Sequence, residues 1–293
     1  MTGLDAVVRR VGSVRARFGE GSLWSERDGG LWWVDMSHRT VCFTSPHGET
    51  RQVEVPGVPG GVAVRAGGGV VVAAERTLVS LTGSMAELEP LPYRFDMPDD
   101  HTFNDVTVDR AGRLLVGSIQ RGGRGDGKGL LFRLAGGGRP EVLLDGFWRV
   151  NGLAFSPDGS RLYVSDSHPD VRSVWRLDYD FETGALGRRE LFTDFAEVEG
   201  RPDGAAVDVE GCYWSAAHDA GCVHRFGPDG QLERSVAVPT PGPTKPAFGG
   251  PDLRTVFVST AGLASGKPDD GIGGALFAFT APAKGCPVPP TTL

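Results

Sequence analysis

One short unit recurs along this chain of 293 residues: an apolar strand, a tight turn at Asp-Gly or Asp/Glu-x-Gly, and a second apolar strand. The clearest copies begin at Phe103-Asn104-Asp105-Val106, at Asn151-Gly152-Leu153-Ala154-Phe155 and at Pro202-Asp203-Gly204-Ala205. They turn at Ala111-Gly112, Asp158-Gly159 and Glu210-Gly211, and return as Leu114-Leu115-Val116, Leu162-Tyr163-Val164 and Tyr213-Trp214-Ser215. Three weaker copies start at Gly19-Glu20-Gly21-Ser22-Leu23-Trp24, Gly60-Gly61-Val62 and Ala247-Phe248-Gly249-Gly250, which makes six. Repeats at a period of roughly 40–50 residues mark propeller blades. The chain is therefore expected to be all-β: a six-bladed β-propeller with four antiparallel strands per blade, one domain over residues 1–293. Val7–Val11 is expected to join Leu276–Phe279 in the last blade and close the ring, which removes exposed edges. The Pro-rich segment 282–293 is expected to be a loose tail.

Composition narrows the function. The 44 glycines and 21 prolines suit a turn-rich fold. A net charge of −7 without a basic stripe argues against nucleic acid as a partner. No apolar run approaches the roughly 18–20 residues of a membrane span, and the start of the chain lacks a signal pattern, so a cytoplasmic location is the default. Cys42, Cys212, Cys222 and Cys286 show no metal-binding spacing and are expected to be free thiols. A monomer or weak homodimer acting on a small molecule is expected.

The opening residue of the blades carries the chemistry. Equivalent positions of different blades converge on the propeller axis, and Glu20, Asn151 and Asp203 share that slot. Two carboxylates and a carboxamide oxygen suit one divalent cation, Ca²⁺, Mg²⁺, Mn²⁺ or Zn²⁺. Three protein ligands leave room for substrate, as a catalytic ion requires. Asn104 opens a fourth blade and is a candidate substrate contact. His101, three residues earlier, ends the acidic loop Asp96–Asp100 and is a further candidate. Asp105, Asp109, Asp158, Asp208 and Asp252 read as turn formers or anchors within a blade. Gly122–Gly127 reads as a flexible inter-strand loop, because it lacks G-K-[ST] and a strand-to-helix context. No G-x-S-x-G elbow and no H-E-x-x-H is present.

Together, Gly19–Trp24, Phe103-Asn104-Asp105, Asn151–Gly159, Pro202-Asp203-Gly204 and Thr244–Gly250 resemble the SMP-30/gluconolactonase/LRE family, which includes regucalcin and bacterial sugar lactonases. The resemblance covers nearly the whole chain. It implies a six-bladed propeller with an axial metal held by Glu20, Asn151 and Asp203, a substrate contact at Asn104, and Asp203 as general base. The chain departs from the family's sugar-gripping positions. Thr102 stands where an arginine usually precedes Asn-Asp, and Val106-Thr107 stands where Gly-Lys usually follows, which is expected to put the apolar Val106 beside Asn104. The expected activity is metal-dependent hydrolysis of a lactone or related cyclic ester other than a standard gluconolactone. The alternatives are a propeller enzyme acting on a non-sugar substrate by cyclisation or rearrangement, and a non-catalytic calcium-binding propeller.

Overall fold

The computed structural model describes residues 6–123, 127–262 and 271–293. Part of the expected flexible loop at Gly122–Gly127, residues 124–126, lies outside them. The described residues form six four-stranded antiparallel sheets, and their one helical element is a single turn at Arg121–Gly123. The innermost strands of blades 1 to 6 are Gly19–Ser25, Pro59–Val64, His101–Val108, Val150–Phe155, Arg201–Val207 and Pro243–Gly249.

Burial explains the sequence of each blade from the inside outward. The second strands are covered on both faces by the adjoining blades, so they read as unbroken apolar runs: Leu31–Val34, Val70–Ala74 and Leu114–Val116 are all buried. The outermost strands have one wet face. In Leu232–Ala237 only Val236 is buried. Between the blades, Trp32, Trp33, Tyr213 and Trp214 fill the wedges, each with essentially no exposed surface.

The ring closes as expected, with shifted bounds. The closing strand is Arg9–Arg15, not Val7–Val11, and it pairs with Ala275–Thr280 on the outside of blade 6. Val11 opposite Leu276 is its one fully buried residue, while Val7 precedes the ladder and is 85 % exposed. An outermost strand needs only one such anchor, so the apolar pair Val7-Val8 does not mark its centre.

The C-terminal segment is not loose. It crosses one end of the channel and is stitched to several blades. Gly285 N–H donates to Leu253 O, Cys286 N–H to Val207 O, and Thr291 N–H to Val64 O, at 2.7–2.9 Å. Arg65 Nε reaches Leu293 O at 2.8 Å, and Thr291 is fully buried. Prolines remove donors but leave carbonyls, so a Pro-rich strap can still be held by its non-proline residues. Composition alone hides that.

Candidate metal centre on the propeller axis

All six innermost strands break register at the same level. The shifts fall between Glu20 and Leu23, Pro59 and Gly61, Phe103 and Val106, Asn151 and Ala154, Pro202 and Ala205, and Pro243 and Lys245. A bulge sets an extra residue into one strand and re-aims its side chain. Glu20, Asn104, Asn151 and Asp203 sit at these bulges and are buried, each 5–7 % exposed. Glycine follows three of them. Gly21 has φ +63°, and a Cβ on it would lie 2.9 Å from Gly61 Cα. Gly152 has φ +59°, and a Cβ there would meet the Tyr213 hydroxyl at 2.3 Å. That hydroxyl donates to Gly152 O at 2.8 Å and pins the bulge. The backbone that presents the oxygen donors thus admits only glycine at these points.

The structure brings two of the three candidate ligands, Asn151 and Asp203, into contact and sets Glu20 within electrostatic reach of Asp203. Asn151 Nδ2 donates to Asp203 Oδ1. Burial pushes the Glu20 carboxyl well above the usual carboxylate range, and the charges of Asp203 and Asp105 push it further. Burial likewise raises Asp203 to about 7, with Asp105 adding to it and Arg201, Asn151 and Arg149 opposing. Crowded, dehydrated carboxylates of this kind are what a divalent cation relieves. The donor set fits one: hard carboxylate oxygens from Glu20 and Asp203 and, once the Asn151 amide is turned over, its carboxamide oxygen.

These shifts set a pH dependence. In the metal-free protein Glu20 and Asp203 hold protons more tightly folded than unfolded. Their contribution is complete below about pH 4, the unfolded carboxylate range, and is lost as pH rises through about 7. Relative to a Glu20→Gln/Asp203→Asn double variant, the chelated protein should lose melting temperature from pH 5 to pH 8. Added divalent ion should raise the wild-type melting temperature more at pH 8 than at pH 5, because the ligands must be deprotonated. A difference between the two proteins that is flat or of opposite slope contradicts this.

Asn104 lies at the same level but is engaged with the next blade: its Nδ2 donates to Val150 O at 2.9 Å, which leaves Oδ1 as its free end. The other candidate substrate contacts are placed less openly. The His101 ring has no exposed surface, and the Thr102 hydroxyl donates to Glu75 O at 3.1 Å. Val106 does not flank Asn104 in the site. It lines a chamber farther down the channel.

Asp105 departs from its expected role as an anchor within one blade. It ties three blades together. Its Oδ1 accepts from Val106 N at 2.8 Å and pairs with Lys245 of blade 6, and its Oδ2 accepts from Leu153 N of blade 4 at 2.7 Å. Lys245 also reaches Val106 O at 3.2 Å, and both side chains of the ion pair are buried. By contrast Asp109, Asp158, Asp208 and Asp252 do cap their own turns, as Asp109 Oδ1 does for Ala111 N and Arg113 N at 2.9 Å.

Three further residues stand at the site that sequence reasoning did not select. His218 Nδ1 is 3.4 Å from Asp203 Oδ2 and 3.3 Å from Pro243 O. Burial and then Arg201 press its pKa down to about 4, so the ring is neutral at pH 7. Arg201 and Arg149 act electrostatically on both Asp203 and His218. A positional signal existed. Each arginine stands two residues before a blade-opening donor, the same offset at which Thr102 precedes Asn104.

Two other features lie away from this centre. Asp208, Glu210 and Cys212 cluster on the blade 5 turn, but the Arg225 guanidinium fills the cluster, with Nε 2.9 Å from Asp208 Oδ2 and Nη2 2.5 Å from Glu210 Oε2. A cavity of about 630 Å³ occupies the opposite end of the channel, between apolar residues such as Val62, Val106, Leu153 and Ala205 and the strap at Cys286–Pro290. Glu20, Asn151 and Asp203 do not line it.

Fold and site thus define a six-bladed propeller with an oxygen-donor centre at one end of its axis. Residues 18–262 match the model of the SMP-30/gluconolactonase/LRE-like region, and the chain belongs to that family. It is 35 % identical over 292 residues to the pentonolactonase XacC of Haloferax volcanii, covering 96 % of each chain. It is 35 % identical over 276 residues to a 6-deoxy-6-sulfogluconolactonase of Pseudomonas putida, covering 92 % of this chain and 94 % of the relative. Among solved structures it is similar to a calcium-binding protein, regucalcin, from Agrobacterium tumefaciens, with a TM-score of 0.87 and 25 % identity over 99 % of this chain and 98 % of that one.

Proposed function

We propose that this protein is a divalent-metal-dependent lactonase that opens a cyclic ester other than glucono-1,5-lactone. The observation that carries this reading is the Glu20–Asn151–Asp203 centre, where two buried carboxylates and a carboxamide meet at the channel end. The lactonases among its relatives support the reaction class. The calcium-binding neighbour supports an ion at this centre.

Glu20, Asn151 and Asp203 would hold the ion, which would supply polarisation of the lactone carbonyl and stabilisation of the developing oxyanion. Asp203 accepts the proton of the attacking water at Oδ2, the oxygen turned toward His218 at 3.4 Å. Neutral His218, whose Nδ1 lies 3.3 Å from Pro243 O, packs against that carboxylate. Asn104, held by Val150 O, offers Oδ1 to a substrate hydroxyl. Asp105 and Lys245 close the floor of the site and keep it apart from the apolar chamber below.

Thr102 sets the expectation for substrate. Its hydroxyl is already given to Glu75 O, and it lacks the forked donor set that an arginine offers to adjacent hydroxyls. Unpaired hydroxyls are costly to bury. Glucono-1,5-lactone is therefore expected to be a poorer substrate than a less hydroxylated δ-lactone, and Thr102→Arg should shift the kcat/KM ratio toward the sugar lactone by about tenfold. Wild-type preference for gluconolactone by that margin, at saturating metal, contradicts the assignment.

A further inference from the structure

Blades 4 and 5 bring two guanidinium groups to the rim beside Asp203. Arg201 is committed: its Nε donates to Asp219 Oδ2 at 2.7 Å and its Nη1 to Ser167 O at 3.3 Å. Arg149 is not. Its side chain is half-buried, its Nε is buried without a hydrogen-bond partner, and among the described residues no carboxylate is ion-paired with it. Asp166 neighbours it but spends both oxygens on backbone donors. Oδ2 accepts from Trp148 N at 2.7 Å, and Oδ1 accepts from Arg149 N and His168 N at 3.1 Å.

An orphaned guanidinium is costly in this setting. Burying a charged donor without a partner is unfavourable, and a second guanidinium nearby makes it worse. Burial and then Arg201 weaken Arg149's hold on its proton, while the charges of Asp203, Asp166 and Asp219 oppose them. The backbone around Arg149 is nonetheless fixed, by the Asp166 bonds and by its antiparallel bridge to Ile119. Asp203, Asp166 and Asp219 act on it only through space, so a guanidinium with an unpartnered Nε beside the candidate centre has donors to offer an anion that arrives with the substrate. The planar fork of arginine matches the paired oxygens of such a group.

We propose that Arg149, backed by Arg201, binds an anionic substituent of the lactone: a carboxylate, sulfonate or phosphate on the carbon chain outside the ring. The assignment rests on the lactonase reading and adds the charge of its substrate. It also orients the substrate, with the anionic end on blades 4 and 5 and the ring carbonyl toward Glu20, Asn151 and Asp203. Arginine donors thus stand on blades 4 and 5 at the offset that Thr102 leaves empty of charge on blade 3.

Two matched pairs test this. Galactono-1,4-lactone differs from galactaro-1,4-lactone only in a free carboxylate, and glucono-1,5-lactone differs from its 6-phosphate only in the phosphate. The wild type should favour at least one charged member over its neutral partner by about tenfold or more in kcat/KM, mainly through KM. Arg149→Met should erase that preference, and Arg149→Lys should keep part of it. Which charged member is favoured distinguishes carboxylate from phosphate recognition. Calorimetric binding of galactarate against galactonate, and of 6-phosphogluconate against gluconate, reads the same contact without turnover. If no lactone of either charge is opened, the reaction class is wrong, and the binding comparison still decides the anion site. Equal binding within each acid pair, where one member carries an anionic group beyond the shared C1 carboxylate, or a preference that survives in Arg149→Met, overturns the proposal.

Discussion

Asp203→Ala is expected to lower kcat/KM for the best lactone by about 10³-fold or more, and most of the bound metal should go with it. Two losses combine at this residue. The alanine removes one of the two carboxylates that hold the ion, and it removes the base. General-base contributions alone are typically 10²–10⁴. Asp203→Asn separates them. It keeps the shape and an oxygen donor, so it should retain more metal than Asp203→Ala while losing proton transfer. Stability should move the other way in the chelated protein. Asp203 lies in a dehydrated space with Glu20 and Asp105, so neutralising it relieves repulsion near neutral pH. Metal analysis, steady-state kinetics and a melt with chelator give all three readouts on one set of proteins. A chelated Asp203→Asn protein that melts well below wild type at pH 8 argues against this electrostatic picture.

Lys245→Met should cause the largest loss of stability among substitutions near the site. Asp105 would keep its bonds from Val106 N and Leu153 N but lose its only cationic partner among the described residues, inside a buried space. Breaking a buried pair by removing one partner costs about 3–5 kcal/mol. At an unfolding entropy of about 2.1 cal/mol/K per residue, a 293-residue domain shifts by about 1.6 °C per kcal/mol, so the melting temperature should fall by about 5–8 °C. The double variant Lys245→Met/Asp105→Asn should recover a large part of this, since no charge is then stranded. Additive losses in that cycle would show that the two residues act separately. The pair joins blades 3 and 6 across the channel, so the loss should appear in global unfolding and not as local fraying.

The propeller was legible because its period is local. Each blade repeats the same strand-turn-strand pattern within one stretch of chain, and the opening slot repeats with it. Glu20, Asn151 and Asp203 could therefore be grouped without knowing a single distance. What the sequence concealed lies between blades. Asp105 meets Lys245 over 140 positions of chain, and no period links an aspartate after one opening residue to a lysine in another blade. The strap at 282–293 looked loose because its bonding partners, Val64, Val207 and Leu253, are spread over three blades. His218 was visible as a residue but not as a neighbour of Asp203. That follows only from the pairing of Arg201 with His218 across blade 5. Val106 was misplaced for a related reason. The bulge after Phe103 turns the next residues down the channel, and an even strand alternation does not anticipate it.

The most direct test is a metal titration of the chelated enzyme, with Glu20→Ala and Asn151→Ala beside the wild type. Lactone opening is followed as acid release while Ca²⁺, Mg²⁺, Mn²⁺ or Zn²⁺ is added, and bound ion is counted on the same samples. The chelated wild type should be inactive and should regain full turnover as one ion binds per chain, while both variants lose the ion and the activity together. Full activity after chelation, or variants that keep wild-type metal content and rate, would contradict a catalytic metal held by Glu20, Asn151 and Asp203.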